Sequence, residues 1–281
     1  MPFLAEADTE TGFFTPTAVD KRGADLAAAY NAAQPFPHIV IDDFLPPELL
    51  EACIRHLETS AGENGVRFDR EQERYKSQYN PDLLSPNLRA LFYSFNSRPF
   101  IKVLENITGI KGLIPDPFFL GAGLHETTQG GHLSIHADFN HHKPMDLERR
   151  INVLIYLNKD WKPEYGGQLE LWNKDMTEKV VAINPVFNRC VIFNTDTYSY
   201  HGNPEPVNHP EGIPRRSIAL YYYTSTWVLH KREHSTLFQV RAQSADRPFA
   251  PDWRGWARTL AVELLPPAMY RALNRARGER E

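Results

Sequence analysis

The sequence predicts an α+β domain that is mainly β, with a sandwich or barrel-like core and helices packed outside it. From residue 117 to residue 229, short β-rich runs alternate with turns rich in Gly, Pro and Asn. Helical patterns lie before and after this segment. With 281 residues and 42% hydrophobic side chains, the chain can bury a large core without disulfide bonds.

The composition argues against several function classes. The formal net charge of -4 gives no electrostatic basis for binding nucleic acid. Cys53 and Cys190 lie in apolar runs and are predicted to be buried and unpaired. The N-terminus lacks the pattern of a secretory signal, and no apolar run approaches the ~18 residues of a membrane span. We therefore expect a cytoplasmic protein with neither a membrane nor a nucleic-acid partner.

The segment before residue 117 mixes one strand with helices. HIVI at 38–41 predicts a short strand, and the two prolines that follow open a helix, where a missing N–H costs little. Residues 86–108 predict a second helical stretch with a break at Arg98-Pro99. Residues 60–80 are polar, which predicts a long loop or a mobile segment, with a lid over a site as the sharper alternative.

Three parts of the chain are predicted. They are an N-terminal lead-in over residues 1–34, a main domain over 35–230 and a helical extension over 231–281. The last predicted helix carries several arginines and is interpreted as a solvated helix face, with a partner surface as the alternative.

The stretch HLSIHADFN, residues 132–140, contains two candidate ligands of a metal site. On a strand, His136 and Asp138 point to the same face. His201 ends a later apolar run, and a double-layered β fold could bring it to them. Two histidines and one carboxylate form the triad that binds non-haem Fe(II), although an isolated His-x-Asp pair is more often structural. The other polar-context histidines are predicted to be solvated: His141, His142, His209, His230 and His234.

A cationic strand predicts an anion site. In RRSIALYYYT, residues 215–224, the side chains of Arg215 and Ser217 share one face. A guanidinium at the mouth of an apolar strand is costly to bury unless it meets an anion, which is either a ligand carboxylate or an internal acidic residue. Tyr156 lies in the apolar strand INVLIYLN, and its hydroxyl needs a partner, either a carboxylate or a backbone group.

Taken together, these motifs resemble the Fe(II)/2-oxoglutarate dioxygenases, in the prolyl-hydroxylase-like branch near the hypoxia-factor prolyl hydroxylase domain enzymes. The resemblance covers residues 117–224 and rests on His-Ala-Asp, IYLNKDW, GGQL, INPVFNRCVIF, the later His and the Arg-x-Ser strand. It implies a double-stranded β-helix, or jelly-roll, core. It implies that Fe(II) is bound by His136, Asp138 and His201, and that the far carboxylate of 2-oxoglutarate meets Arg215, Ser217 and Tyr156.

The resemblance also implies the reaction. An unactivated C–H bond is hydroxylated with O2, with succinate and CO2 as coproducts, and ascorbate is a further candidate cofactor. The first candidate substrate is a prolyl residue in a peptide or protein, and the alternative is a free amino acid or small metabolite. A zinc hydrolase and a non-catalytic jelly-roll binding module stay open as other readings.

The sequence gives weaker indications of which residues bind the substrate. Where the family often has a second tyrosine, this chain offers His125 or nothing. Candidates for the substrate pocket are the polar and aromatic side chains close to the motifs in sequence: His132, Phe139, Trp172, Tyr198 and Tyr200.

Overall fold

A curled, thirteen-stranded sheet dominates the part of the chain that the structure describes. The structure is a computed structural model, and it describes residues 1–15, 19–59, 65–226, 233–241, 244 and 246. Residues Met1–Ala245 form one compact unit. The predicted C-terminal helices lie outside the described residues, and the predicted domain limits remain predictions.

In the described residues all four α-helices lie before residue 109, interleaved with three strands, and the remaining strands follow. The helices are α1 (Ala27–Ala32), α2 (Pro47–Thr59), α3 (Pro86–Phe95) and α4 (Arg98–Thr108). The first strands are β1 (His38–Ile41), β2 (Gly65–Arg70), β3 (Glu73–Tyr79), β4 (Ile114–Pro115), β5 (Gly123–Ala137), β6 (His141–His142) and β7 (Leu147–Tyr156). The later strands are β8 (Leu169–Trp172), β9 (Lys179–Ile183), β10 (Cys190–Asn194), β11 (His201–Asn203), β12 (Arg215–Thr224) and β13 (Leu237–Phe238).

The long strand β5 joins the two halves of the sheet. The strand order is β1-β10-β7-β12-β5-β11-β8-β9, and every pairing along it is antiparallel. The first residues of β5 pair with β12, and its last residues pair with β11. The sheet therefore curls around one interior, and the predicted double-stranded β-helix fold is confirmed.

The two faces of the central strands have different roles. On β7, Ile151, Val153 and Ile155 are buried in the large apolar core that also holds the helices. The alternate residues of β7 and β12 point into the interior of the curled sheet, where they line a cavity. This alternation follows from the two-residue period of a strand. It places an apolar face against the helices and leaves the other face for the site.

The N-terminal residues are more closely packed than a lead-in suggests. Leu4, Val19 and Tyr30 are fully buried and belong to the main core. The Tyr30 hydroxyl donates a hydrogen bond to the Asn194 side chain over 2.6 Å. These apolar residues are spaced irregularly, so no helical or strand period in the sequence indicated their burial.

The polar segment 60–80 is not a loop in its described part. Residues 65–79 form the hairpin β2–β3, and β3 pairs with β5. Its polar composition was misleading because pairing with the edge of β5 supplies the backbone hydrogen bonds without an apolar face. The strand expected from residue 117 begins only at Gly123, because residues 117–122 form a turn in which Asp116 accepts hydrogen bonds from the N–H groups of Phe118 and Leu120.

The predictions about buried cysteines and solvated histidines have different outcomes. Cys53 and Cys190 are both buried and free, as predicted. The prediction that His142 and His209 are solvated is wrong, because both are buried. His142 packs against the Tyr223 ring, with centroids 4.9 Å apart.

The helical stretch 86–108 divides into α3 and α4 near the predicted break. No helix among the described residues is long and apolar enough to cross a bilayer.

Candidate active site

Two neighbouring strands bring the three predicted metal ligands together. His136 lies near the end of β5, and Asp138 follows one residue after the strand ends. His201 begins β11 and stands directly opposite His136 in the antiparallel ladder. The ligand-type atoms of the three side chains all lie within 4.8 Å of one another. A single ion could therefore contact all three.

Backbone carbonyls orient both imidazole rings. Nδ1 of His136 lies 2.8 Å from the carbonyl oxygen of Ser134, and Nδ1 of His201 lies 2.8 Å from that of Ser199. A carbonyl can only accept, so each Nδ1 carries the proton and donates it. In a neutral ring this leaves the Nε2 lone pair free for a metal. The Phe193 ring lies 4.7 Å from that of His201, which limits its rotation.

The charge state of the cluster also suits a cation. Burial acts to raise the pKa of Asp138, but Arg149 and His201 hold that pKa well below its usual range. Burial lowers the pKa of His201, although Asp138 opposes the shift. Near neutral pH the cluster therefore presents a carboxylate and an unprotonated imidazole, the forms that bind a metal.

A buried arginine lines the same cavity as the three predicted metal ligands. Arg215 is only 6% exposed, and its Nε donates to the Gly167 carbonyl over 2.7 Å. Within the described residues no carboxylate forms an ion pair with it, and burial lowers its pKa. Gly167 is required here, because a Cβ at that position would lie 2.7 Å from Cδ of Arg215. An unpaired buried guanidinium favours an anionic ligand.

Polar side chains extend from this arginine across the sheet. Tyr156 on β7, Ser217 on β12, His125 on β5 and Gln78 on β3 lie opposite one another in register. Among the residues that the structure describes, the Tyr156 hydroxyl and Nε2 of His125 are both buried without a hydrogen-bond partner, and the Tyr156 ring lies 5.0 Å from the Arg215 guanidinium carbon. Burial lowers the pKa of His125 well below its usual value, so the ring is neutral. Such unsatisfied groups are rare unless a ligand or water meets them.

The cavity lined by Gln78, His125, Arg215 and Ser217, together with the three predicted metal ligands, has a volume of about 290 Å³. Phe68 and Lys76 of the β2–β3 hairpin, together with Phe139 and Phe238, line the cavity and are partly exposed, so we take them to form its mouth. Of the predicted substrate-pocket residues, Phe139 lines this cavity. The other four, His132, Trp172, Tyr198 and Tyr200, do not line it.

Several lining residues were not predicted from the sequence. Arg149 and Asn152 bind the Asp138 carboxylate, and Phe238 of β13 lies 5.5 Å from the His136 ring. Asn152 shares a strand face with Tyr156, a signal that could have identified it. Phe238 follows a segment without strand periodicity, so the sequence offered no comparable signal.

Residues 122–223 match the sequence model of the 2OG-Fe(II) oxygenase superfamily. The chain carries a 2OG-Fe(II) oxygenase domain. The matched segment contains the His-x-Asp pair, the later histidine and the Arg-x-Ser strand, so family and geometry agree. The protein is an Fe(II)/2-oxoglutarate-dependent dioxygenase, with Fe(II) as cofactor and 2-oxoglutarate as cosubstrate.

Solved structures share the fold of this oxygenase at low sequence identity. A prolyl 4-hydroxylase from Pseudomonas putida aligns with a TM-score of 0.50 and 18% identity, over 72% of this chain and 98% of its own. A prolyl hydroxylase from Trichoplax adhaerens, solved with a hypoxia-inducible-factor peptide, gives 0.53 and 17%, over 73% and 90%. HygX from Streptomyces hygroscopicus, with nickel and 2-oxoglutarate bound, gives 0.50 and 11%, over 72% and 87%. These similarities support the fold.

The side chains at this site suit both Fe(II) and 2-oxoglutarate. Two imidazole nitrogens and a carboxylate form the ligand set that non-haem Fe(II) prefers while leaving other positions open. The unpaired Arg215 and the unsatisfied Tyr156 hydroxyl offer the donors that a dicarboxylate needs.

Proposed function

We propose that this oxygenase binds Fe(II) through His136, Asp138 and His201 and hydroxylates an unactivated C–H bond in a peptide or protein, with a prolyl residue as the target. With 2-oxoglutarate and O2, the iron supplies the oxidising chemistry, and succinate and CO2 are released. The protein's own contribution is to orient the reactants and to exclude water from the cavity.

In this proposal, Arg215 binds the carboxylate of 2-oxoglutarate that is remote from the metal. The planar guanidinium can pair with two carboxylate oxygens. The Ser217 hydroxyl and the Tyr156 hydroxyl add one hydrogen bond each. Tyr156 is suited to donate rather than ionise, because burial raises its pKa while Arg215 opposes the shift.

The observation that carries the proposal is the buried, unpaired charge of Arg215 in the same cavity as the metal triad. A zinc hydrolase could use the same three ligands, but it would give no reason to bury this cation or to leave the Tyr156 hydroxyl unsatisfied. A non-catalytic binding module would have the same geometry and differs only in turnover.

Two features favour a prolyl target. Aromatic rings line the mouth of the cavity, from Phe68, Phe139 and Phe238, and apolar rings suit the pyrrolidine ring. The related fold from Trichoplax adhaerens was solved with a peptide bound, which supports a peptide substrate by analogy.

The first test is an anaerobic titration with Fe(II) and 2-oxoglutarate that follows the visible iron-to-2-oxoglutarate charge-transfer band. We expect the band in the wild type, its loss in His136→Ala, and a much higher 2-oxoglutarate requirement in Arg215→Ala. A wild type without the band would refute the metal and cosubstrate assignment.

The substrate is tested separately by incubating the loaded enzyme in air with a library of proline-containing peptides. Mass spectrometry is expected to show the gain of one oxygen on a prolyl residue, together with one succinate per product. Oxygen added only to free amino acids or small metabolites would contradict the peptide assignment while leaving the reaction class intact.

A further inference from the structure

A buried arginine and a buried asparagine bind one oxygen of the Asp138 carboxylate. Arg149 donates from a terminal nitrogen to Oδ2 of Asp138 over 2.9 Å. The Asn152 amide donates to the same oxygen over 2.7 Å. Asn152 in turn accepts hydrogen bonds from Nε and the same terminal nitrogen of Arg149, over 3.1 and 2.8 Å. The three side chains therefore form a closed network.

Two aromatic rings hold the guanidinium of Arg149 in place. Its central carbon lies 3.6 Å from the centre of the Tyr221 ring and 4.5 Å from that of Phe139. Tyr221 is itself fixed, because its hydroxyl donates to the Gly121 carbonyl over 3.0 Å. The Arg149 side chain is 1% exposed. Its orientation is therefore set from three sides, as a bidentate or stacked site requires.

The two oxygens of Asp138 differ in what they can still bind. Oδ2 accepts two hydrogen bonds, which use both of its lone pairs. Oδ1 lies 3.5 Å from Nε2 of His136, and Oδ2 lies 3.3 Å from Nε2 of His201, so both oxygens are close to an imidazole. Of the two oxygens, only Oδ2 accepts hydrogen bonds from Arg149 and Asn152. Oδ1 is thus the oxygen with lone pairs free for a cation.

We propose that Arg149 and Asn152 are positioning residues that keep Asp138 a one-oxygen iron ligand of moderated donor strength. The proposal rests on the proposed function, because it assumes that the triad binds iron. Occupying both lone pairs of Oδ2 leaves Oδ1 as the ligand atom, which would preserve a coordination position for 2-oxoglutarate or O2. The adjacent positive charge also withdraws electron density from the carboxylate.

A second buried arginine of the same fold provides the matched control. Arg216 pairs with Glu126 over 2.9 Å, and both side chains are buried. This pair does not line the cavity of the metal triad. Arg216→Met therefore removes an equivalent buried ion pair without touching Asp138, and it reports the purely structural cost.

The test is the charge-transfer band of the anaerobic Fe(II)–2-oxoglutarate complex. Without the guanidinium, Asp138 donates more charge to the iron, so the transition in Arg149→Met is expected at longer wavelength. Arg149→Lys keeps the charge and is expected to shift the band less. Asn152→Ala is expected to give a smaller shift in the same direction, and it tests the idea if Arg149→Met does not fold. Turnover of 2-oxoglutarate is expected to fall about 10–100-fold in Arg149→Met.

The outcomes separate this proposal from the proposed function. A band in Arg149→Met that superimposes on that of the folded wild type would overturn the positioning role. An equal shift in Arg216→Met would overturn it as well, because the effect would then be a general response to a lost ion pair. Absence of the band in the wild type would instead refute the proposed function.

Discussion

Replacing Arg215 by Met is expected to have opposite effects on the apo and the liganded protein. The apo protein buries this guanidinium with no carboxylate partner in the described structure and one hydrogen bond, to Gly167. Exchanging an uncompensated buried charge for an apolar side chain of similar length is often neutral or stabilising. We therefore expect the free energy of unfolding of apo Arg215→Met to lie within about 1 kcal/mol of the wild type, or above it.

In the presence of 2-oxoglutarate, Arg215→Met is expected to be less stable than the wild type. Each hydrogen bond to a charged group contributes about 1.5–3 kcal/mol, so losing two weakens 2-oxoglutarate binding by at least about 100-fold. At a ligand concentration of 100 times the wild-type Kd, the ligand stabilises the wild type by about 2.7 kcal/mol and the variant by about 0.4 kcal/mol. The assay is anaerobic urea unfolding with Fe(II), with and without 2-oxoglutarate.

Arg216→Met is the control for this assay. It leaves the buried Glu126 carboxylate unpaired and is expected to cost about 3–5 kcal/mol of apo stability. It should nevertheless retain the full stabilisation by 2-oxoglutarate, because Arg216 does not line the cavity. If Arg215→Met kept the wild-type stabilisation by 2-oxoglutarate, the assignment of Arg215 as the carboxylate anchor would be refuted.

Three further predictions concern single side chains. His136→Ala is expected to abolish stoichiometric Fe(II) binding in equilibrium dialysis, and retained binding would contradict the triad. Gly167→Ala is expected to raise the KM for 2-oxoglutarate more than it lowers kcat, since its Cβ displaces Arg215; an unchanged KM would argue against that contact. His125 has a folded-state pKa far below 6.5, so the unfolded chain binds its proton first and stability is lost as pH falls below about 6.5. His125→Gln is expected to flatten this slope by up to about 1.4 kcal/mol per pH unit in urea unfolding, and an identical slope would contradict a neutral buried ring.

Strand alternation explains why the central residues could be predicted from the sequence. His136 and Asp138, and likewise Arg215 and Ser217, are two positions apart, so the pattern alone places each pair on one face. The pairing of His201 with His136 is a long-range contact between β11 and β5. Local pattern could not establish that contact, and the family resemblance supplied it.

A bulge explains why Arg149 was missed. Along a regular strand, Arg149 and Asn152 are three positions apart and would point to opposite faces. In β7 the pairing with β12 shifts register between Ile151 and Arg149, because Tyr222 pairs with the first and Tyr223 with the second. The extra residue reverses the alternation and turns Arg149 towards Asp138. Hydropathy does not indicate such a bulge.

The β2–β3 hairpin was missed for a different reason. Its strands are polar on both sides, with Phe68 facing the cavity mouth and the remaining residues mostly partly or fully exposed. A strand is recognised in a sequence by the alternation of buried apolar and exposed polar residues. The β2–β3 hairpin is held by backbone pairing with β5 and buries few side chains, so its sequence shows little of this alternation. The same limit applies to β13, which contributes two paired residues.

The long strand β5 has a consequence for how the protein is made. Its partners along the chain range from β3, which begins at Glu73, to β13, which ends at Phe238. When only the first half of the chain has left the ribosome, β5 is therefore exposed while most of the strands that pair with it have not yet been synthesised. Such edges are prone to mispairing, and contacts this distant in sequence form slowly. The three proposed iron ligands can therefore come together only after β11, which begins at His201, has been synthesised.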